Sequence, residues 1–374
     1  MIGAKVENQP MKQMNKIKIF RFICHNTDVT KQSIAYHLGM SMPTVLQNIK
    51  ALVADGLVEE QKTLASTGGR RARTVSVVRD ARFAVGVEIT ARHLETALLD
   101  LGGFITASER VSLAYQDSPE YYRAFGEHIA SFIQKQAIPT DRLLGVGISL
   151  PGNVDTARDL ITQSRVLRIA NVSLQKFRRH LPYETIFCND ANAAGLAEQK
   201  YIQKDAVFLS LAETVGGAVF FDRQLYMGEQ YKSGEIGHMI LVPDGKECYC
   251  GKSGCMDAYC SSRVLSSLAE GSLERFFQKL SQGDPACTAG WETYLRYLAI
   301  SVTNLRMAFD CPIILGGYVG AYLSPYLSRF QELASLYNTF DRDSDYLSVC
   351  HAPDHAYALG AGLQFIEGFY DSIP

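Results

Sequence analysis

The chain has 374 residues, 47% of them hydrophobic and 20% charged, with a net charge of −2. That is too long for one ordinary domain, and the composition excludes disordered and fibrous classes. No run of eighteen apolar residues and no apolar N-terminal signal region is present, so neither membrane insertion nor secretion is expected. The nine cysteines then read as reduced cytoplasmic thiols and metal ligands, not as a disulfide framework.

Charge is unevenly shared. Residues 1–80 hold 12 Lys+Arg against 6 Asp+Glu, whereas the remainder holds 25 against 33. A basic head on an acidic body places any contact with a polyanion in the head. Within it, Ile17, Phe20, Phe22 and Ile23 predict a first helix from Asn15 to about His25. Thr30 can cap a second helix that buries Ile34, Ala35 and Leu38 and stops at Gly39. Ser41 caps a third, with Pro43 in its first turn, Val45, Ile49, Leu52 and Val53 at helical spacing, and Asp55-Gly56 as its end. Two helices joined by a short glycine-containing turn are a helix-turn-helix. The polar side of the third helix carries Thr44, Gln47, Asn48 and Lys50, types that reach base edges or phosphates in the major groove. Strands at 57–59 and 74–77 flank a tip that carries Gly68, Gly69, Arg70, Arg71 and Arg73, in the place of a wing. Arginines there can follow phosphates or enter a narrow minor groove, so the head is expected to bind double-stranded DNA.

Beyond Asp80 strands and helices interleave, which predicts an α/β fold. Strands are expected at 83–89, 94–99 and 104–110, a helix at 119–137, and a buried strand at 143–150 leading to the loop Pro151-Gly-Asn-Val-Asp155. A strand at 185–188 runs into Asn189-Asp190, where an alanine-rich helix begins. Strands at 206–211 and 217–221 precede Gly234-Glu-Ile-Gly-His238 and a cysteine-rich stretch from Cys248 to Asp257. The chain is then mainly helical to Pro312-Ile-Ile-Leu-Gly-Gly317, and closes with a strand near 347–351 and a helix from His355. His238, Cys248, Cys250 and Cys255 fall within eighteen residues threaded with glycines. One imidazole and three thiolates are the ligand set of a closed tetrahedral zinc site. Four protein ligands leave no position for water, so a Zn2+ there is expected to be structural.

The body resembles the ROK family (repressors, open reading frames and kinases) over residues 82–370. The resemblance is carried by PGNVD at 151–155, NDANAA at 189–194, GEIGH at 234–238, CYCGKSGCMDAY at 248–259 and LGG at 315–317. The head, ending in STGGRRA at 66–72, is similar to that of the family's transcriptional regulators. The resemblance implies a winged helix-turn-helix at 1–80 and a two-lobed actin-like ATPase fold: a small lobe at 81–190 with the C-terminal helix 355–374, and a large lobe at 191–354. It implies His238, Cys248, Cys250 and Cys255 as zinc ligands. It also implies a sugar site at Asn189, Asp190, Glu235, His238 and Asp257, with Asp190 at the kinases' general-base position. Asp257 departs from the family's usual glutamate and is one methylene shorter.

Where the family's kinases have an acidic residue and a glycine pair, this chain has Glu88-Ile-Thr90-Ala91-Arg92-His93, without glycine. In the second phosphate loop it has Ala212-Glu213-Thr214-Val215-Gly216-Gly217, with a carboxylate beside the phosphate position. Since positioning and electrostatics carry phosphoryl transfer, the expectation is a non-enzyme: a sugar-responsive repressor of a carbohydrate-utilisation operon, a homodimer or tetramer on operator DNA, with a sugar or sugar phosphate as effector. A bifunctional sugar kinase with a DNA-binding head, and a regulator controlled by a protein partner, are the alternatives.

Overall fold

A computed structural model describes residues 8–62, 73–341, 343–352 and 354–373. The head begins with α1 (Asn8–His25), which starts well before Asn15, because a helix one side of which is already anchored extends through polar residues that carry no pattern. Helices α2 (Lys31–Leu38) and α3 (Met42–Ala54) follow. Thr30 accepts the Ser33 N–H and Ser33 returns a bond from the Thr30 N–H, a complete capping box, and Gly39 ends α2 at φ 61°. Ser41 caps α3. Strands β1 (Val58–Lys62) and β2 (Arg73–Val77) pair antiparallel as the wing.

The body contains two five-stranded sheets. The first uses β3 (Phe83–Ile89), β4 (His93–Asp100), β5 (Ile105–Ser112), β6 (Leu143–Leu150) and, later, β10 (Thr185–Asn189), in the order β10-β6-β3-β4-β5. Helix α4 (Pro119–Lys135) covers one face with Tyr121, Tyr122, Phe125, Ile129 and Phe132. Between β6 and β10 lies a small antiparallel sheet of β7 (Asn153–Asp155), β8 (Leu160–Ser164) and β9 (Ile169–Ser173), then α5 (Gln175–Arg178). The sequence reading left this segment without strands. Each is five residues or fewer, with Val154, Ile161 and Val172 buried in the core and Ile169 packed against it, so the period-two signal is too short to stand out.

Helix α6 (Asp190–Glu198) leads to the second sheet: β11 (Ala206–Leu211), β12 (Val215–Phe221), β13 (Gln224–Leu225), β14 (Ile313–Gly316) and β15 (Leu347–Val349), ordered β13-β12-β11-β14-β15. In both sheets an antiparallel meander is extended by two parallel strands, so one topology occurs twice. The helices α7 (Asp257–Cys260), α8 (Ser262–Ser266), α9 (Leu273–Ser281), α10 (Pro285–Phe309), α11 (Gly317–Leu323) and α12 (Leu327–Ser335) build the second core around Trp291, Tyr294 and Phe276.

The last helix, α13 (Ala356–Ser372), lies directly on the first sheet. A Cβ at Gly86 or Gly147 would overlap the carbonyl oxygens of Ala358 and Ala361, so glycine in β3 and β6 is what lets the helix approach. At Gly360 the same helix crosses α6 against the Ala193 carbonyl. Its far end packs on the head: Phe20 meets Tyr370 edge-on at 5.3 Å, Arg21 pairs with Glu367 and Asp371, and Ile19, Phe20 and Ile23 share one core with Phe365, Ile366 and Ile373.

Candidate functional site

Two cavities open between the sheets, of about 350 Å³ and about 550 Å³, and Pro151, Val166, Asp190 and Thr214 line both. Into the smaller project Asn189, Asp190, Glu235 and His238. Asn189 ends β10 and caps α6: its Oδ1 accepts the Asn192 N–H at 3.1 Å, and its Nδ2 donates to the Gly152 carbonyl at 3.1 Å. Capping therefore also braces the loop after β6. Asp190 accepts the Ala191 N–H at 2.8 Å. Burial pushes its carboxyl up to about 7, against the pull of that N–H, and the Glu235 carboxylate adds to the rise. Glu235 and His238 arrive on a loop that turns at Gly234, φ 82°, and passes Val215 so closely that a Cβ at Gly237 would overlap the Val215 carbonyl. The His238 Nε2 faces the cavity, 3.8 Å from a Glu235 oxygen and 3.3 Å from the Tyr249 hydroxyl.

The other ring nitrogen of His238 faces the thiols. Its Nδ1 is 3.9 Å from the Cys248 sulfur, and the Cys250 and Cys255 sulfurs are 3.7 Å apart. All four ligand atoms lie within 4.8 Å of one another. Sulfurs at about 2.3 Å from a tetrahedrally bound ion stand roughly 3.8 Å apart, so the spacing already fits one metal ion. Gly251 and Gly254, at φ 85° and 82°, make the turn that gathers the three cysteines. The same histidine thus joins the cysteine cluster to the cavity wall.

Asp257 is placed differently from the expectation. It is 1% exposed and does not line the cavity. One carboxylate oxygen accepts the Val215 N–H at 2.7 Å, and the other meets Arg263 Nη2 at 2.8 Å. A side chain one methylene longer would reach further; aspartate is short enough to be satisfied behind the wall. The sequence reading missed Arg165, Tyr249 and Lys252, which do line the cavity. Arg165 follows β8, in a stretch for which the sequence predicts no element, and carries no periodic or motif signal.

The larger cavity sits where the two altered loops meet. In the turn after β3, the Thr90 hydroxyl accepts the N–H groups of Arg92 at 3.3 Å and His93 at 2.9 Å, and the Thr90 N–H donates to the His93 carbonyl. In the second loop the Val215 N–H is held by Asp257. The Thr90, Arg92, His93 and Val215 N–H groups are therefore bonded within the protein.

On the head, Gln47 and Lys50 are exposed on α3 and Thr44 is half-buried, its hydroxyl 2.8 Å from that of Ser41. Asn48 is a correction: it is 3% exposed and its amide donates to the Thr44 carbonyl at 2.8 Å, which takes it off the outward face. Its position one residue round from Gln47 places it on the buried side of α3, beside Val45, Ile49 and Leu52. Arg73 is exposed at the start of β2; Arg70 and Arg71 lie outside the described residues. Leu46 and Tyr36, 45% and 83% exposed, are outward-facing groups that the polar pattern passed over.

The ROK family pattern matches residues 84–366. Among similar proteins, the xylose repressor of Caldicellulosiruptor bescii is 23% identical over 94% of each chain, and that of Bacillus subtilis 24% over 97% of each. The DNA-binding transcriptional dual regulator NagC of Escherichia coli is 26% identical over 70% of this chain and 67% of its own. In fold the molecule is similar to a ROK family transcriptional regulator described as a homolog of the Escherichia coli MLC protein, with a TM-score of 0.74 and 21% identity over 97% of this chain and 98% of that one. It is also similar to the ROK glucokinase of Streptomyces griseus solved with glucose and AMPPNP, with a TM-score of 0.62 and 22% identity over 75% of this chain and 98% of that one. With the pattern covering the whole two-sheet body, the chain belongs to the ROK family.

Proposed function

We propose that the chain is a sugar-responsive transcriptional repressor of a carbohydrate-utilisation operon. Operator DNA binds at Thr44, Gln47 and Lys50 of α3 and at the wing arginines, including Arg73, and two heads of a homodimer read paired half-sites. The sugar binds in the smaller cavity, where Asn189, Asp190, Glu235 and His238 offer several acceptors and donors to adjacent hydroxyls. His238, Cys248, Cys250 and Cys255 hold a structural Zn2+, which fixes the loop carrying Glu235. The relatives named as xylose and N-acetylglucosamine repressors support this reading.

The observation that carries it is the closed bonding of the two loops facing the larger cavity. With the Arg92, His93 and Val215 N–H groups already bonded, those donors are withdrawn from a transferring polyphosphate, which supports the reading as a non-enzyme. Asp190 alone favours a second reading as a sugar kinase, since a carboxyl near 7 suits a general base; ATP turnover across a hexose panel, compared with Asp190→Asn, decides between the two.

Sugar and operator are linked through one free energy, so an inducing sugar must lose affinity when DNA is bound by the same factor that DNA loses affinity for the sugar-bound protein. Titrating sugars with and without operator fragment tests the reading. An unchanged sugar affinity on saturating operator, for every sugar that releases DNA, would overturn it.

A further inference from the structure

A third cavity, of about 440 Å³, runs along the side of α6 that carries Asn192 and Leu196 and continues to Gln199. Its other walls are β10 and β13, the edge strands of the two sheets, and α13. Asn192 and Tyr231 line this cavity and the smaller one alike, so the two adjoin across a shared wall. At α13 the cavity reaches Glu367, which pairs with Arg21 and stands 3.6 Å from His25 Nε2 in α1. An occupant would therefore lie between the sugar cavity and the joint that holds the head.

The lining is mainly aliphatic. Ile186, Leu196, Leu225, Met227 and Leu363 come from β10, α6, β13 and the loop after it, and α13, and all five are only half-buried. The amides of the wall are engaged within it. Gln364 Nε2 donates to the Cys188 sulfur at 3.2 Å, Gln199 Nε2 to the Arg223 carbonyl at 2.8 Å, and Asn192 Nδ2 to the Met227 sulfur at 3.6 Å. The smaller cavity instead presents Asn189, Asp190, Glu235 and His238. A second sugar ring placed along α6 would give up its hydrogen bonds to water without replacement, whereas an aryl or alkyl group gains by leaving water. A thioether is a weak acceptor, so little opposes displacement of Met227 from Asn192 where the cavities adjoin.

We propose that the cavity along α6 binds the aglycone of a glycoside, an aryl or alkyl group joined to a sugar ring that occupies the smaller cavity. The effector is then a glycoside with an apolar aglycone, and not the free sugar. The inference rests on the reading of the smaller cavity as a sugar site. What commits the cavity to this occupant is its continuity with the sugar cavity at Asn192 and Tyr231, together with an apolar lining whose amide donors are already bonded.

Calorimetric titration of the full chain tests this with a panel of hexoses, pentoses and N-acetylhexosamines, and with the methyl, butyl, hexyl and phenyl glycosides of each in both anomers. In wild type, affinity for one anomeric series is expected to rise roughly threefold for each methylene added beyond methyl, and the phenyl glycoside to bind about tenfold or more tighter than the methyl glycoside. Leu225→Trp fills the cavity and Leu196→Glu places a charge in its wall. In both variants the gain from the aglycone is expected to shrink below about twofold, while the free sugar binds within about twofold of wild type, which also shows that the variants fold. Butyl, hexyl and phenyl glycosides that bind no tighter than methyl glycosides in either anomer, or a gain that survives both variants, would overturn the proposal. So would a disaccharide that outbinds the phenyl glycoside of its first sugar, because the cavity would then hold a second ring. Failure of the sugar reading is separate: neither free sugars nor any glycoside would then bind.

Discussion

Asp190 shows how one side chain carries both the chemistry and a stability signature. Its carboxyl is raised to about 7 in the folded chain, against an ordinary value near 3.9 when unfolded. A folded state that holds its proton more tightly is favoured below the unfolded value, and that contribution is lost as pH rises through about 7. Asp190→Asn is therefore expected to flatten the fall in melting temperature between pH 5 and pH 8, and to weaken sugar binding at both. A variant whose melting curve keeps the wild-type pH slope would show that Asp190 ionises freely. Glu88, raised to about 8, adds a slope of the same sign at higher pH, and it remains in the variant. The residue types at this site were legible because Asn-Asp at a strand-to-helix junction is a capping signal. The direction of Asp257 was not: identity and spacing say nothing about whether a carboxylate turns to the cavity or to Val215 and Arg263 behind it.

At the scale of elements, the loop from Gly234 to Asp257 has almost no regular structure and gathers His238, Cys248, Cys250 and Cys255 at one point. Cys250→Ser removes one of four, leaving three thiol or imidazole groups without a closed shell. Metal content by atomic absorption is expected to fall well below that of wild type, with a lower melting temperature and a weaker sugar response. Full metal content with normal response would refute the structural role. The head offers an independent test. Thr30→Ala removes the hydroxyl of a complete capping box and is expected to destabilise the head by about 1 kcal/mol, seen in denaturant titration and as weaker operator binding, with the sugar cavity unaffected. Such caps are written in adjacent residues, and for that reason α2 and α3 could be placed from sequence to within a residue. The three short strands between Asn153 and Ser173 could not, because they are held by pairing with one another and by single core residues.

In the whole molecule, α13 is the element through which lobes and head meet. Its first two turns lie on Gly86 and Gly147 of the first sheet through Ala358 and Ala361 and cross α6 at Gly360, and its end packs on α1 through Tyr370, Glu367 and Asp371. A rotation of one sheet against the other would therefore bear on the head through this helix. Gly360→Ala should improve helix propensity by about 1 kcal/mol, but its Cβ meets backbone at Ala193, which cannot swing aside as a side chain would. The clash is expected to win: a lower melting temperature and altered sugar-dependent release of operator. A more stable variant with normal release would mean that the crossing has slack. Among the described residues no helix is long and apolar enough to cross a membrane.

Sequence alone determined α2 and α3, most strands of both sheets, the clustering of His238, Cys248, Cys250 and Cys255 and the absence of glycine from 88–93, because each is encoded in residues close together in the chain. Tertiary structure decided the rest: that Asn48 and Asp257 turn inward, that Arg165 and Arg263 reach the cavities, and that head and C-terminal helix share one core. These depend on contacts between segments as far apart as Arg21 and Glu367, and packing at that separation leaves no periodic trace in either segment.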